Sequence, residues 1–399
     1  MKFFHLSDLH LGLKLHGCDL AEDQTYVLNQ IVKAAEERRP DAVVIAGDIY
    51  DRSMPSGEAM RLFDWFLTEL RRRSPKTAIL VISGNHDNAL RINTYRELLE
   101  TSGIHLIGLP PETLEDRMAR VTLTDEYGDV DFLLLPFVRP SMLRQTLDIE
   151  EGDSLSYEEA IKRLLERENL DHERRNVLVS HQFYVPDRSS AVDVERAETE
   201  TRMVGNIDAV SASLLEAFDY AALGHIHKPM RMGRETVRYS GTPMPYSFSE
   251  AGQEKSITEV TLGEKGSLQL ATIPLQPLHG IRIIKGTPEE VLQEGSKESS
   301  EDYISVQLTE RSPEGAYDLR EKLQAAFPNL LEIKFAWKRD RALRDSAAGG
   351  KGGEQELSPY DLCMEFLGEC TEDEEELLRE VLNEVTAGTG EEEGKEGEV

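Results

Sequence analysis

Five short motifs, in one order along the chain, carry side chains able to grip a metal ion. They are Asp8-Leu9-His10, Gly47-Asp48, Gly84-Asn85-His86-Asp87, Ser180-His181 and Gly224-His225-Ile226-His227. Carboxylates, an amide oxygen and imidazoles, with no thiolate among them, form a mixed oxygen and nitrogen donor set. Such a set suits manganese, with magnesium, iron or zinc behind it. A carboxylate can bridge two cations, and Asp48, preceded by a glycine that permits a sharp turn, is the candidate bridge. Asn85 offers a neutral oxygen, and His86 beside it is the candidate for acting on substrate. Two ions about 3.5–4 Å apart stabilise both the attacking and the leaving oxygen of an in-line displacement. The chemistry indicated is phosphoester hydrolysis at a dinuclear centre. An isolated Asp-x-His arises by chance, and a lone His is more often a core residue bonded to backbone. Five motifs in series are not explained that way. His5, His105, His172 and His279 have no comparable setting, while His16 follows the first motif closely enough to sit near the same rim.

Donors of this kind need a rigid frame, and four of the motifs follow short apolar runs. These are Phe3-Phe4, Ala42-Val43-Val44-Ile45-Ala46, Ile79-Leu80-Val81-Ile82 and Val177-Leu178-Val179. Runs of this length closed by Gly or Asp read as buried strands. Strand ends of a sandwich-like sheet would then deliver the donors to one rim. Asp8 with His10, and His225 with His227, have the two-residue spacing that puts side chains on one face of a strand. Helices are predicted over Glu22–Arg38, Ser56–Arg72 and Tyr157–Glu168. The second of these is apolar nearly all round, through Ala59, Met60, Leu62, Phe63, Trp65, Phe66, Leu67 and Leu70. Such a helix is either sandwiched in the core or shared with a second copy of the chain, together with the Tyr95–Leu99 segment.

The main unit is predicted to span residues 1–277. A small α+β unit follows over 278–340, with strands at Ile281–Ile284, Tyr303–Leu308 and Leu331–Trp337 and helices at Pro288–Gln293 and Ala316–Phe327. Residues 341–357 contain a Gly-rich linker, whose Gly-Gly-Lys-Gly-Gly lacks P-loop spacing and so gives no ATP site. Residues 358–386 read as two short amphipathic helices, capped by Ser358-Pro359 and by Thr371 with Glu374. Helices this short, on a tether, are expected to dock on a partner. Residues 387–399, rich in Glu and Gly, are expected to be a disordered acidic tail.

The 399-residue chain has a net charge of −30, and residues 351–399 alone hold 17 acids against 3 bases. Autonomous DNA binders are usually basic, so strong unaided DNA affinity is not expected. Chemistry on phosphates survives this balance, because bound cations supply local positive charge. No apolar stretch approaches the roughly 18 residues of a membrane span, and Met1-Lys2 leads directly into a strand. Cys18, Cys363 and Cys370 lack zinc spacing. A cytoplasmic protein is the expectation.

The ordered motifs resemble the calcineurin-like metallophosphoesterases. Further segments narrow the resemblance to the SbcD family of exonuclease subunits: Ser7-Asp8-Leu9-His10-Leu11-Gly12, Gly47-Asp48-Ile49-Tyr50-Asp51, Tyr239-Ser240-Gly241-Thr242-Pro243 and Ser247-Phe248-Ser249-Glu250. The resemblance implies a four-layer αββα sandwich with an α+β, DNA-facing capping domain and a C-terminal helical pair. It implies that one ion is held by Asp8, His10, Asp48 and His227, and the other by Asp48, Asn85, His181 and His225, with His86 catalytic. It further implies two Mn2+ ions, exonuclease action on duplex ends and endonuclease action on single strands and hairpins. The implied setting is DNA repair and recombination at the nucleoid. The implied partners are DNA, an SbcC-type ATPase whose coiled coil receives the terminal helices, and a second copy of the chain, giving a heterotetramer. Many archaeal and eukaryotic relatives carry a His after Gly-Asp where this chain has Tyr50-Asp51, so no second substrate-facing His is expected there.

Two other functions compete. A stand-alone phosphodiesterase for cyclic nucleotides or other small phosphodiesters accounts for the acidity without a partner, but leaves the small unit and the terminal helices without purpose. An adaptor with a dead site conflicts with the intact donor set.

Overall fold

The computed structural model describes residues 1–150, 153, 155–186, 208–297, 301–310 and 316–335. The expected linker, terminal helical pair and acidic tail lie outside the described residues. The chain divides into two compact units. One is Met1–Ile284 with Ser299–Val306 and Pro328–Ile333; the other is Lys285–Glu298, Gln307–Phe327 and Lys334–Val399.

The first unit is built on two six-stranded sheets. In spatial order, the first holds Leu268–Leu275, Lys255–Leu262, Lys2–Leu6, Ala42–Ala46, Ala78–Ile82 and Ile104–Ile107. The second holds Met230–Met232, Arg234–Tyr239, Tyr220–Gly224, Arg175–His181, Gly128–Leu135 and Ala119–Asp125. Ala42–Ala46 and Ala78–Ile82 are buried at every residue, as parallel strands covered on both faces must be. Their alternate side chains enter two different cores. Val44, Ala46, Leu80 and Ile82 meet Phe132, Leu134, Val177 and Val179 of the other sheet, with the Phe3 and Phe132 rings edge to face at 5.3 Å. Val43, Ile45, Ile79 and Val81 instead meet the helices Ala21–Arg38 and Gly57–Arg73. On the far side, Tyr157, Ala160, Ile161 and Leu164 of the helix Tyr157–Glu166 cover Leu133, Leu178 and Leu223. The layers run helix, sheet, sheet, helix, which is the expected αββα sandwich.

The predicted helices are present with small shifts at their ends. Ser56 caps Gly57–Arg73 by accepting from the Ala59 amide at 3.2 Å, and Ser156 caps Tyr157–Glu166 by accepting from Glu159 at 3.1 Å. Each is a hydroxyl satisfying one orphan amide of the first turn.

One expectation is overturned. The Gly57–Arg73 helix is not sandwiched: Ala59, Phe63, Phe66, Leu67 and Leu70 are buried, but Met60 is 45% exposed. Nearby apolar residues share this exposure, with Met54 at 71%, Leu90 at 69%, Tyr95 at 72% and Leu98 at 68%. One sheet accepts one face of a helix, and no described element covers the other.

The three-stranded sheet orders Ile281–Gly286, Tyr303–Leu308 and Leu330–Phe335. The helices Pro288–Lys297 and Ala316–Ala326 pack on each other within the second unit. No helix among the described residues is long and apolar enough to cross a membrane.

Candidate metal centre

All five motifs sit at strand ends, including the fifth, which follows the strand Tyr220–Gly224. Asp8 with His10, and His225 with His227, do not share a strand face as their spacing predicts. The strands stop at Leu6 and at Gly224, so neither pair lies on a pleated face. Both pairs occupy loops, and Asp8, His10, Asp48 and His225 have φ of 53°, 42°, 49° and 108°. Backbone held outside the preferred regions costs about 1–3 kcal/mol per residue and persists only where the surroundings over-determine it.

The surroundings do so through backbone pairing between loops. Asp8 N–H donates to the Gly47 carbonyl (2.9 Å), His10 to Asp48 (3.0 Å) and Leu11 to Ile49 (2.9 Å). Glycine is required at three motif positions. A Cβ on Gly47, already at φ 89°, would lie 2.3 Å from His181 Nδ1, one on Gly84 would lie 2.1 Å from Asp48 Oδ1, and one on Gly224 would lie 1.9 Å from the Ala46 carbonyl oxygen. These contacts let the first, second and third motifs close on the fourth.

The donors converge in three overlapping sets. Ligand atoms of Asp8, His10 and His227 lie within 4.8 Å of one another, as do those of Asp8, Asp48 and His181 and those of His10, Asp48 and His86. Asp48 Oδ2 stands 3.2 Å from His181 Nε2 and 3.7 Å from His10 Nε2. Asn85 Oδ1 stands 3.1 Å from His181 Nε2 and 2.9 Å from His225 Nδ1. Asp48 therefore faces both halves, in the position a bridging carboxylate needs. His181 Nδ1–H donates to the Ala46 carbonyl at 2.7 Å, which fixes the tautomer and aims Nε2 at Asp48 and Asn85. His225 N–H donates to both oxygens of Asp8 at 3.1 Å.

The site's charges are strongly interdependent. Burial raises the Asp8 carboxyl, against the pull of His181 and His227. Burial would raise Asp48 too, but His181 and His10 hold it well below the usual carboxylate range. Burial would depress His181, yet Asp48 overrides it and pushes the ring up to about 9. His10 lies well below the ordinary imidazole value, chiefly through burial.

Divalent ions fit this donor set. His10 Nε2 and His227 Nε2 face each other at 3.1 Å, and two imidazole nitrogens so placed need a proton or a cation between them. The group is buried, rich in carboxylate and imidazole, and devoid of thiolate.

His86 is placed differently. Its ring lies 4.9 Å from that of His10, edge to face, and its Nδ1–H donates to the Asp51 carbonyl at 2.8 Å. With Nδ1 so engaged, the ring's other nitrogen is Nε2. With Asn85 and His225, His86 lines a cleft of about 500 Å³ whose other walls include Asp51, Arg52, Phe137, Arg139 and Tyr157. Of the Tyr50-Asp51 pair, Tyr50 is buried with its ring 5.8 Å from that of Phe63, and Asp51 lines the cleft.

Three contributors carried no usable sequence signal. Asp87, although inside a motif, supports rather than reacts: it accepts from the amides of Gly84 (2.8 Å), Tyr50 (2.9 Å) and Ile49 (3.1 Å), tying the second motif to the third. Gln24 donates to the His10 carbonyl (2.8 Å) and accepts from Gly12 N–H (3.1 Å). Phe137 lies with its ring 6.5 Å from His181 and under the Arg139 guanidinium at 6.0 Å. Of the remaining histidines, His5 is buried between Tyr220 Oη and the Leu223 carbonyl and is driven down to about 3, chiefly by burial. His16 packs on Phe248 and approaches Glu332, and it belongs to none of the candidate ligand groups.

Residues 1–229 match the calcineurin-like phosphoesterase family. Residues 275–371 match SbcD_C, the type 5 capsule protein repressor C-terminal domain. The SbcD subunit of the nuclease SbcCD from Staphylococcus epidermidis is 32% identical over 336 residues, covering 84% of this chain and 85% of the relative. Solved structures overlap less closely. A dimetal phosphatase from Danio rerio is 14% identical, with TM-score 0.39 over 69% of this chain and 96% of its own. The calcineurin-like phosphoesterase YfkN from Bacillus subtilis is 14% identical, with TM-score 0.35 over 69% and 90%.

Proposed function

From the premise that this chain belongs to the calcineurin-like phosphoesterases, and among them to the SbcD family of nuclease subunits, we propose that it is the metal-dependent nuclease subunit of an SbcCD-type complex. The observation that carries this is the convergence of donors from five separate strand ends around Asp48, with His86 at the edge of an adjoining cleft. The reading extends to two Mn2+ ions, one on Asp8, His10, Asp48 and His227 and one on Asp48, Asn85, His181 and His225. It extends also to DNA ends and hairpins as substrates in chromosomal repair and recombination.

Ions held there would supply Lewis-acid stabilisation of phosphate charge and lower the pKa of a water. The chain's own residues do the rest. The Asp51 carbonyl holds the His86 ring through Nδ1 at the wall of the cleft, which leaves Nε2 for the chemistry. In the protonated ring this nitrogen can bind a phosphate oxygen or give a proton to the leaving 3′ oxygen, a role worth about 10²–10⁴-fold. Arg52 and Arg139 on the cleft walls offer the backbone phosphates charge that the acidic chain otherwise lacks. Phe137 adds an aromatic face of the kind on which unpaired bases stack.

Partners follow from what one chain leaves incomplete. The SbcC-type ATPase would receive residues 358–386 and contribute DNA affinity, and residues 278–340 would serve as the DNA-facing cap. The exposed Met54, Met60, Leu90, Tyr95 and Leu98 suit a second copy, giving a heterotetramer.

The test incubates the purified chain with Mn2+ and labelled linear duplex and hairpin DNA, beside chelator and His86→Ala controls. Cleavage lost in both controls is expected. Hydrolysis of a small phosphodiester without DNA cleavage, even after the ATPase partner is added, would replace this reading with the small-substrate phosphodiesterase.

A further inference from the structure

The segment Ser247-Phe248-Ser249-Glu250 has no part in the chemistry above, yet it holds the most heavily bonded carboxylate next to the centre. Glu250 is 1% exposed. It accepts from Lys255 Nζ (2.6 Å), Thr242 Oγ1 (2.9 Å), Ser247 Oγ (3.1 Å), Tyr246 N–H (3.3 Å) and His227 Nδ1–H (3.4 Å). Lys255 is buried as well, and its ammonium also donates to the His227 carbonyl (3.0 Å) and to Gln253 Oε1 (3.0 Å). His227 is thus gripped at two points, ring and backbone, by the two members of one buried ion pair.

A buried pair is weak evidence of stability, because desolvation offsets much of the attraction. Apolar side chains of similar volume would fill this space at least as well. What they could not do is accept a proton from an imidazole. With Nδ1–H turned to Glu250, the nitrogen that His227 presents to Asp8 and His10 is Nε2. We infer that Glu250 is the positioning residue for His227, setting its tautomer and ring angle for an ion shared with Asp8 and His10, while Lys255 balances the carboxylate charge. The inference rests on the metal-centre reading proposed above. Carboxylates in this relation to a ligating histidine commonly contribute 10–100-fold to metal affinity.

The experiment titrates Mn2+ into the full chain by calorimetry and by electron paramagnetic resonance, for native, Glu250→Gln, His227→Ala and the double variant. One Mn2+ is expected to bind about 10–100-fold more weakly in Glu250→Gln, with the spin-coupled signal of two ions giving way to that of one. In the His227→Ala background, Glu250→Gln should add no further loss, since two residues acting through one contact are not additive. A structural Glu250 would lower the melting temperature of the metal-free chain and leave Mn2+ affinity unchanged, or give additive losses; either result overturns the inference. Should Glu250→Gln fail to fold, the charge-matched pair Glu250→Gln with Lys255→Met undergoes the same titrations. Native chain that binds no Mn2+ would overturn the metal-centre reading, and this inference with it. Native binding with unchanged affinity in the variant would overturn the positioning role alone.

Discussion

The metal rim and the outer face of the Gly57–Arg73 helix are opposite solutions to exposure. At the rim, polar and charged side chains are buried and almost every one has a partner within the chain: Asp87 with three amides, His181 with Ala46, Gln24 with His10. On the helix face Met60 is 45% exposed, and outside the helix Met54 and Tyr95 are more than two-thirds exposed. Burying polar groups is tolerable only when their hydrogen bonds are met, so the rim must be completed by the chain itself. Exposing apolar groups is tolerable until a partner covers them, so the helix face can wait. The rim's polar groups are met by the chain's own contacts, whereas no described element covers the exposed apolar side chains.

Four measurements test whether the two regions differ in this way. The largest effect is expected from chelation: dialysis against EDTA should abolish hydrolysis of a small phosphodiester and Mn2+ should restore it, which activity assays would follow. His86→Ala comes next. It should cost about 10²–10⁴-fold in kcat while Mn2+ stoichiometry, measured by atomic absorption, stays that of the native chain; loss of metal would move His86 into the ligand set. Asp87→Ala should leave three buried amides without their acceptor and destabilise the fold by about 3 kcal/mol, read from denaturant midpoints. Smallest for the single chain is Tyr95→Glu. It should change unfolding stability by no more than about 0.5 kcal/mol, yet abolish self-association in sedimentation velocity. Unaltered sedimentation would leave the apolar face without the role proposed for it.

The elements around the centre were largely legible because each is a local statement. Ala42–Ala46 and Ala78–Ile82 are short apolar runs ended by small or polar residues, and the helices expected at Ser56–Arg72 and Tyr157–Glu168 show apolar residues at three- and four-residue spacing. The error over Asp8 with His10 was local as well: a spacing of two was assigned to a pleat when the strand had already ended at Leu6. Of the two readings open for the Gly57–Arg73 helix, the exposed Met60 excludes the sandwiched one. Hydrophobic periodicity reports which faces are apolar, but not how many neighbours will arrive to cover them.

The donor types and their order along the chain are carried by the sequence alone, since they depend on side-chain chemistry and not on which residues meet in space. Only the tertiary structure decided that His225 N–H reaches Asp8 across 217 residues, that His16 stays out of the ligand groups, and that Gln24 and Glu250 brace the ligand loops. Those contacts come from strand pairing and from the stacking of two sheets. Both are long-range, and no spacing along the chain encodes them.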